Sequence, residues 1–434
     1  MKQSITFFWH RRDLRIEDNH GLFRALSESD NVVPVFIFDT NILSRLRAKD
    51  DQRVSFIHHY LTALKVKYKK LGVELLVKVG EPIQIWESLC EEFKVQAVYC
   101  NRDYEPYALH RDRLVYDGLK EKGITFFGFK DHVVFEKAEV VKDDGLPYTV
   151  FTPYSKKWKS LLTMEMLRAF PVEQYRENFK KDFPEQQIPS LREIGFEQSK
   201  KAFPGLIVDQ KILNNYHETR DIPSVNGTSQ LSVHLRFGTI STRKLTKIAL
   251  ETNEKYLNEL IWREFYQMIL FHFPHTIEKA FKPAYDRIEW VNDEEQFEKW
   301  CEGKTGYPMV DAGMRELNAT GWMHNRTRMV VASFLVKHLL IDWRWGEAYF
   351  KEKLLDYECA SNVGGWQWAT GSGNDAAPYF RVFNPTSQQE KFDPDLRYIR
   401  KWIPEYETKN YPPPIVEHTF ARDRVLAVFK KALQ

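Results

Sequence analysis

The period of the hydrophobic pattern changes partway along this chain, and that change limits the possible folds more than any single motif does. In the first part, short apolar runs alternate with amphipathic stretches. Ile5–Trp9, Val32–Phe38, Glu74–Val79, Gln96–Cys100 and Thr125–Phe129 read as strands, with Ser55–Lys70, Pro82–Phe93 and Leu109–Lys122 as helices between them. A parallel connection must cross over the sheet, so this alternation predicts a doubly wound, five-stranded parallel sheet with helices on both faces. Such α/β domains bind ligands at the carboxyl ends of their strands. No GxGxxG follows the first strand, so a nicotinamide dinucleotide site there is not expected.

After about Asp209 the helical period takes over. Thr239–Leu250, Tyr256–Phe273, Asp293–Cys301, Pro308–Ala319, Asn325–Leu339 and Trp345–Leu354 all read as helices, which predicts an all-α bundle. Between the two regimes, Pro171, Pro184, Pro189 and Pro204 punctuate charged, weakly periodic sequence. The expected organisation is an α/β domain over 1–135, a connector with short helices over 136–205 and a helical domain over 206–434. A chain of 434 residues is too long for one small core, which agrees with two domains.

The net charge of +3 does not by itself indicate nucleic acid, although a local basic patch remains compatible with it. The 30 Phe, 20 Tyr and 12 Trp suit a core or the stacking of rings. Cys90, Cys100, Cys301 and Cys359 show no CxxC pairing, and no His/Cys set has zinc spacing, so no metal is expected. No signal-like opening and no bilayer-length apolar run occur. The expectation is a reduced, soluble, cytoplasmic protein.

Several segments could carry chemistry. Ser361–Phe380 has one ionisable residue, four glycines and two indoles, Trp366 and Trp368. Its glycines suggest close approach of the backbone to something flat; a buried loop on a helical core is the plainer reading. Glu259, Trp262, Arg263 and Tyr266 share one helix face, either as a cavity wall or as an exposed Glu259–Arg263 pair beside two shielding rings. The run from Gly227 to Ser232 could cap a helix and hold a phosphate. Gly303-Lys304-Thr305 imitates the end of a Walker A motif, but the required leading glycine is Glu298. Asn325, Arg328 and Met329 share a face while Arg326 points elsewhere, as in a ligand-reading helix or a solvated helix start. Arg381, Lys391, Arg397, Arg400 and Lys401 interleave with Phe380, Phe383 and Phe392, as in a nucleic-acid groove or a plain surface.

Long segments then converge on one resemblance. FWHRRDLRIEDN at Phe8–Asn19, ELIWREFY at Glu259–Tyr266, EGKTGYPMVDAGMREL at Glu302–Leu317, GWMHNRTRM at Gly321–Met329, GGWQWATGSGNDAAPYFRVFNP at Gly364–Pro385 and QEKFDPD at Gln389–Asp395 resemble the photolyase/cryptochrome family of flavoproteins. Within it the chain is most similar to microbial class I cyclobutane pyrimidine dimer photolyases. The resemblance implies a Rossmann-like amino-terminal domain and FAD inside the helical domain. It places flavin contacts on Tyr216, on Thr228, Ser229, Gln230, Leu231 and Ser232, and on Arg328, Asp356, Glu358 and Asn362, with Arg328 and Asp356 as an ion pair. Glu358 stands where many bacterial relatives have Asp.

The implied activity is light-driven electron transfer from reduced FAD to a pyrimidine dimer flipped out of UV-damaged DNA. Glu259 would hydrogen-bond the dimer, which needs a carboxyl with a raised pKa. Trp262 and Trp368 would stack around it, Asn325 would contact base edges and Met329 would pack against it. Arg220, Arg263, Arg326, Arg381 and Lys391 are the candidates for DNA phosphates, and Trp366, Trp343 and Trp290 for an electron relay that reduces oxidised flavin.

Two relatives on the same scaffold compete. A (6-4) photolyase typically has histidine at the position of Asn325, whereas His324 lies one step earlier. Cryptochromes often replace the active-site carboxylate or asparagine, and this chain keeps Glu259 and Asn325. A flavin oxidoreductase lacks any nicotinamide site here. A second, antenna chromophore, a folate or a deazaflavin, is left open, since Tyr104–Ala108 departs from the Asn-Glu pattern of a folate site. A monomer without an obligate protein partner is expected from the resemblance alone.

Overall fold

The computed structural model describes residues 4–434. The first of two compact units takes the chain up to Glu136, Leu161–Ile207 and Leu231–Glu251. Its sheet comprises β1 (Ser4–His10), β2 (Val32–Asp39), β3 (Leu76–Gly80), β4 (Lys94–Asn101) and β5 (Thr125–Phe129), in the order β3-β2-β1-β4-β5 with every pair parallel. β2 is buried along its whole length and β1 nearly so, as expected for central strands covered on both faces. α1 (His20–Glu28), α2 (Gln52–Lys70), α3 (Pro82–Glu92) and α4 (Pro106–Glu121) wind around them. α2 and α4 start three residues earlier than the apolar pattern indicates. The Asp51 side chain accepts the Arg53 amide at the start of α2, and Pro106 occupies the first turn of α4, so polar starts rather than apolar residues set both ends.

Winding reverses between β1 and β4, and their carboxyl ends carry a dense ion-pair network. Arg11 pairs with Asp112, Arg12 with Asp103 at 2.9 Å, and Asn101 donates to Asp13 at 2.6 Å. Asp13, Asn101 and Asp103 are buried and Arg11, Arg12 and Asp112 partly so, and a polar group out of water needs its partner.

The second unit takes Lys137–Ser160, Val208–Gln230 and Thr252–Gln434. Its helices are α5 (Phe151–Leu161), α6 (Glu254–His272), α7 (Glu294–Glu302), α8 (Pro308–Thr320), α9 (Asn325–Ser333), α10 (Trp343–Lys353), α11 (Cys359–Thr370), α12 (Pro385–Phe392), α13 (Arg397–Trp402) and α14 (His418–Leu433). A division at 135 and 205 does not describe the two units, which interleave along the chain. Tyr154 and Trp158 of α5 are buried, and Trp158 donates to Glu264 of α6 at 2.6 Å, so the supposed connector contributes core. Phe179 likewise is buried and bridges to Val32 at the start of β2.

Two further differences bear on the site. The expected helix over 325–339 ends its regular part at Ser333 and finishes in a π-helical turn, Phe334–His338. Half of the glycine-rich stretch, Ser361–Thr370, belongs to α11, and the half after it, from Gly371 to Phe380, is turn and irregular chain. A Cβ at Gly364 would stand 2.2 Å from the Tyr266 ring, and one at Gly346 would stand 2.1 Å from the Trp366 ring. The flat objects that these two glycines admit are the protein's own aromatic side chains, which pack α6 and α10 against α11. No helix among the described residues is long and apolar enough to cross a membrane.

Candidate active site

One face of α6 carries Glu259, Trp262, Arg263 and Tyr266, and the side chains leave it in different directions. Glu259 accepts from Arg220 at 2.6 Å. Arg263 instead donates to Glu358 at 3.0 Å, so the exposed Glu259–Arg263 pair does not form. Glu358, at the amino end of α11, also accepts from Gln267 at 3.1 Å and Ser361 at 3.1 Å. A buried carboxylate needs donors, and it draws Arg263 inward. The Arg263 side chain is 11% exposed and ion-paired with that carboxylate.

A chain of contacts continues from Glu259 to α9. Asp221, next to Arg220, accepts from Arg326 at 2.6 Å. The Arg326 and Asn325 side chains each approach the Met329 sulfur at 3.8 Å. Asn325 is exposed, and Arg326 lies over Phe392 at 4.2 Å from the ring centre. His324 is buried and caps α9, its ring nitrogen accepting from the Arg326 amide at 3.1 Å. Burial pushes the His324 pKa down to about 4, so its ring is neutral at physiological pH.

Burial also raises the pKa of Glu259, and Arg220 offsets only part of the rise. About a third of its side-chain surface stays exposed (32%), so solvent still reaches the carboxyl. Trp262 stacks on Phe151 of α5, with ring centres 3.8 Å apart and planes 5° apart, and the Tyr266 and Phe265 rings lie 5.4 and 5.5 Å from the same indole. Trp368 is half-buried, beside Phe383.

The residues expected at the flavin lie in three places. Arg328 donates to both oxygens of Asp356, at 2.9 and 3.1 Å, and its Nε donates to the Met323 carbonyl. Asn362 on α11 donates its amide to Glu347 of α10 at 3.0 Å, and Tyr357 donates to the same carboxylate. Ser229 meets the Tyr256 hydroxyl at 3.0 Å, and the Tyr256 ring lies edge-on to Tyr216 at 5.2 Å. Thr228 and Gln230 flank Ser229, with Gln230 in the left-handed region at φ 51°. The N-cap of the short helix Ser232–Arg236 is Leu231, which is buried and has no capping side chain.

Trp366 and Trp343 are buried, with Trp290 packed against the same core cluster. The Trp366 ring contacts Phe350 at 5.0 Å and Trp300 at 6.1 Å. Arg381 and Lys391 are exposed, each lying over a phenylalanine ring. Gln267, Glu347, Tyr256 and Phe151 were not singled out in the sequence. Gln267, four residues past Arg263, and Tyr256, three residues before Glu259, lie on the same helix and carried a local signal; Glu347 and Phe151 arrive from distant segments.

Two family models match: the FAD binding domain of DNA photolyase over 256–408 and DNA photolyase over 6–174. The chain is 35% identical to the deoxyribodipyrimidine photo-lyase of Halobacterium salinarum, covering 99% of each chain. It is similar to a bacterial class III photolyase structure from Agrobacterium tumefaciens, with a TM-score of 0.84 and 31% identity, covering 100% of this chain and 98% of the other. An archaeal photolyase from Sulfolobus tokodaii, solved with two FAD molecules, has a TM-score of 0.82 and 35% identity over 98% of this chain and 100% of its own. The donor set fits FAD: a guanidinium paired with a carboxylate, an oriented amide and clustered hydroxyls all lie in the helical unit. The two matched domains, the full-length likeness and a site able to hold FAD together make this chain a member of the DNA photolyase family, the light-driven enzymes that repair pyrimidine dimers in DNA.

Proposed function

We propose that α6, the Tyr216–Asp221 turn, α9 and α11 wall a pocket that takes one pyrimidine dimer turned out of the duplex. The contact path from Glu259 through Arg220, Asp221 and Arg326 to Asn325 and Met329 carries this reading, because it ties the lesion-facing residues of separate segments into one wall. A dimer stacked in DNA cannot reach a group held within a protein, and its weak pairing lowers the cost of leaving the stack. Bound reduced FAD supplies, under blue or near-UV light, the electron that opens the cyclobutane ring and receives it back.

The protein's own residues do the rest. Glu259, whose pKa is raised by desolvation, in its protonated form donates a hydrogen bond as negative charge builds on the dimer. Trp262, backed by Phe151, stacks on the dimer, Trp368 stacks opposite, Asn325 meets base edges and Met329 fills the space beside them. Arg328 with Asp356, and Asn362 oriented by Glu347, hold the flavin end of the pocket. Tyr216, Thr228, Ser229, Gln230, Leu231 and Ser232 hold the rest of the dinucleotide, and Glu358 acts through its hydrogen-bonded donors. Trp366, Trp343 and Trp290 carry electrons inward from the surface, a step separate from repair.

Arg381 and Lys391 take DNA phosphates; Arg220 and Arg326 order the pocket first through their carboxylates. The chain works as a cytoplasmic monomer without a protein partner. A second chromophore of folate, deazaflavin or flavin type in the α/β domain is part of the same reading. The test is repair of a thymine-dimer oligonucleotide by reduced protein in light, with a dark control and a (6-4) substrate in parallel. Light-dependent repair of the dimer alone is expected. Repair at the normal rate by fully reduced Glu259→Ala would remove Glu259 from the mechanism.

A further inference from the structure

Gly365 has no packing reason to be glycine. Its neighbour Gly364 is forced by the Tyr266 ring, and Gly346 by the Trp366 ring. A Cβ built on Gly365 meets nothing within 4 Å, and the residue is exposed in the middle of α11. Glycine is among the poorest helix formers, so alanine would suit this helix better by every local measure. The open side is not a random patch of surface. Residues three apart share a helix face, so Gly365 lies between Asn362 and Trp368 on one stripe. The first is assigned above to the flavin and the second to the dimer.

We propose that Gly365 presents bare helix backbone as the surface against which the flavin ring rests, and so sets how closely flavin and extruded dimer approach; this rests on the flavin assignment of Asn362. A side chain here would occupy the room the ring uses while leaving the fold intact. Gly365 is thus a positioning residue, distinct from the glycines that helix packing requires.

The experiment uses full-length Gly365→Ala and Gly365→Leu purified with FAD. Far-UV circular dichroism reads the fold, titration of the FAD-depleted protein with FAD reads affinity, and the flavin absorption band reads its surroundings. Both variants should keep the parent's helical signal. FAD affinity should fall in the order Gly, Ala, Leu, by about tenfold or more for leucine. Parent-like affinity and an unchanged flavin band in Gly365→Leu would overturn the proposal. Retained FAD with weakened binding of dimer DNA alone would also overturn it, by assigning the open side to the lesion. Loss of helical signal in Gly365→Ala would show that the side is not open. If Glu259→Ala repairs normally while Gly365→Leu sheds FAD, the lesion roles fall and the role of Gly365 stands.

Discussion

Asp131 in the α/β unit and Glu259 in the helical unit are both carboxyl groups held by arginine, and their pKa values move in opposite directions. Burial raises both. At Asp131, Arg15 at 2.7 Å and Arg243 at 2.8 Å outweigh burial and hold the carboxyl well below its usual range. At Glu259 the single Arg220 does not outweigh it. Arg220 also lies next to Asp221, which adds to the rise at Glu259. Asp131 has two cations that fix structure; Glu259 is left under-compensated, which favours its protonated, hydrogen-bond-donating form.

The largest expected break in this comparison is in stability. Asp131→Ala leaves two buried guanidinium groups short of a partner and should cost about 3–5 kcal/mol in urea unfolding. Glu259→Ala sits at a partly exposed pair and should stay within about 1 kcal/mol of the parent. Equal losses in the two variants would end the contrast between structural and functional carboxyls.

Repair separates them the other way. Glu259→Ala should lower the dimer-splitting yield about tenfold or more, the worth of a hydrogen bond to a charged group at about 1.5–3 kcal/mol. Glu259→Gln keeps a donor and should retain more activity than the alanine variant. A glutamine variant as inactive as alanine would mean that donation is not what Glu259 provides.

The opposite pKa directions also predict opposite pH slopes. The folded pKa of Asp131 is below its unfolded value of about 3.9, so its contribution is complete above that pH and is lost as pH falls through the folded value. The folded pKa of Glu259 is raised, so the unfolded chain releases the proton first. Stability then falls as pH climbs from about 4.3 through the folded value. Asp131→Asn should flatten the acid limb of a stability–pH curve, and Glu259→Gln should remove the fall above it.

The smallest effect sharpens the surface assignment. Arg381→Ala and Lys391→Ala should each reduce the slope of log affinity for dimer DNA against log salt by about 0.9. Arg263→Ala should leave that slope alone, because its guanidinium belongs to Glu358.

The central strands were legible because buried parallel strands write their apolar runs directly into the sequence: β2, buried throughout, spans Val32–Asp39 against an expected run of Val32–Phe38. α2 was legible in position but not at its start, since Asp51 lies outside the apolar pattern. α11 was not read as a helix. Glycine has low helix propensity, and the contacts that make α11 form, Tyr266 against Gly364 and Gly346 against Trp366, come from elsewhere in the chain. The face of α6 was likewise predicted, but the ion pairs on it were not. Spacing allows Glu259 and Arg263 to meet, while Arg220 and Glu358 draw them apart.

The sequence alone determined the two regimes of secondary structure, the resemblance to a flavoprotein family and the residue types of the pocket, because periodicity and motif spacing are local properties of a chain. Tertiary structure decided which charges pair, which glycines packing requires and which carboxyl has its pKa raised. Those depend on distance and desolvation, and groups far apart in sequence set both.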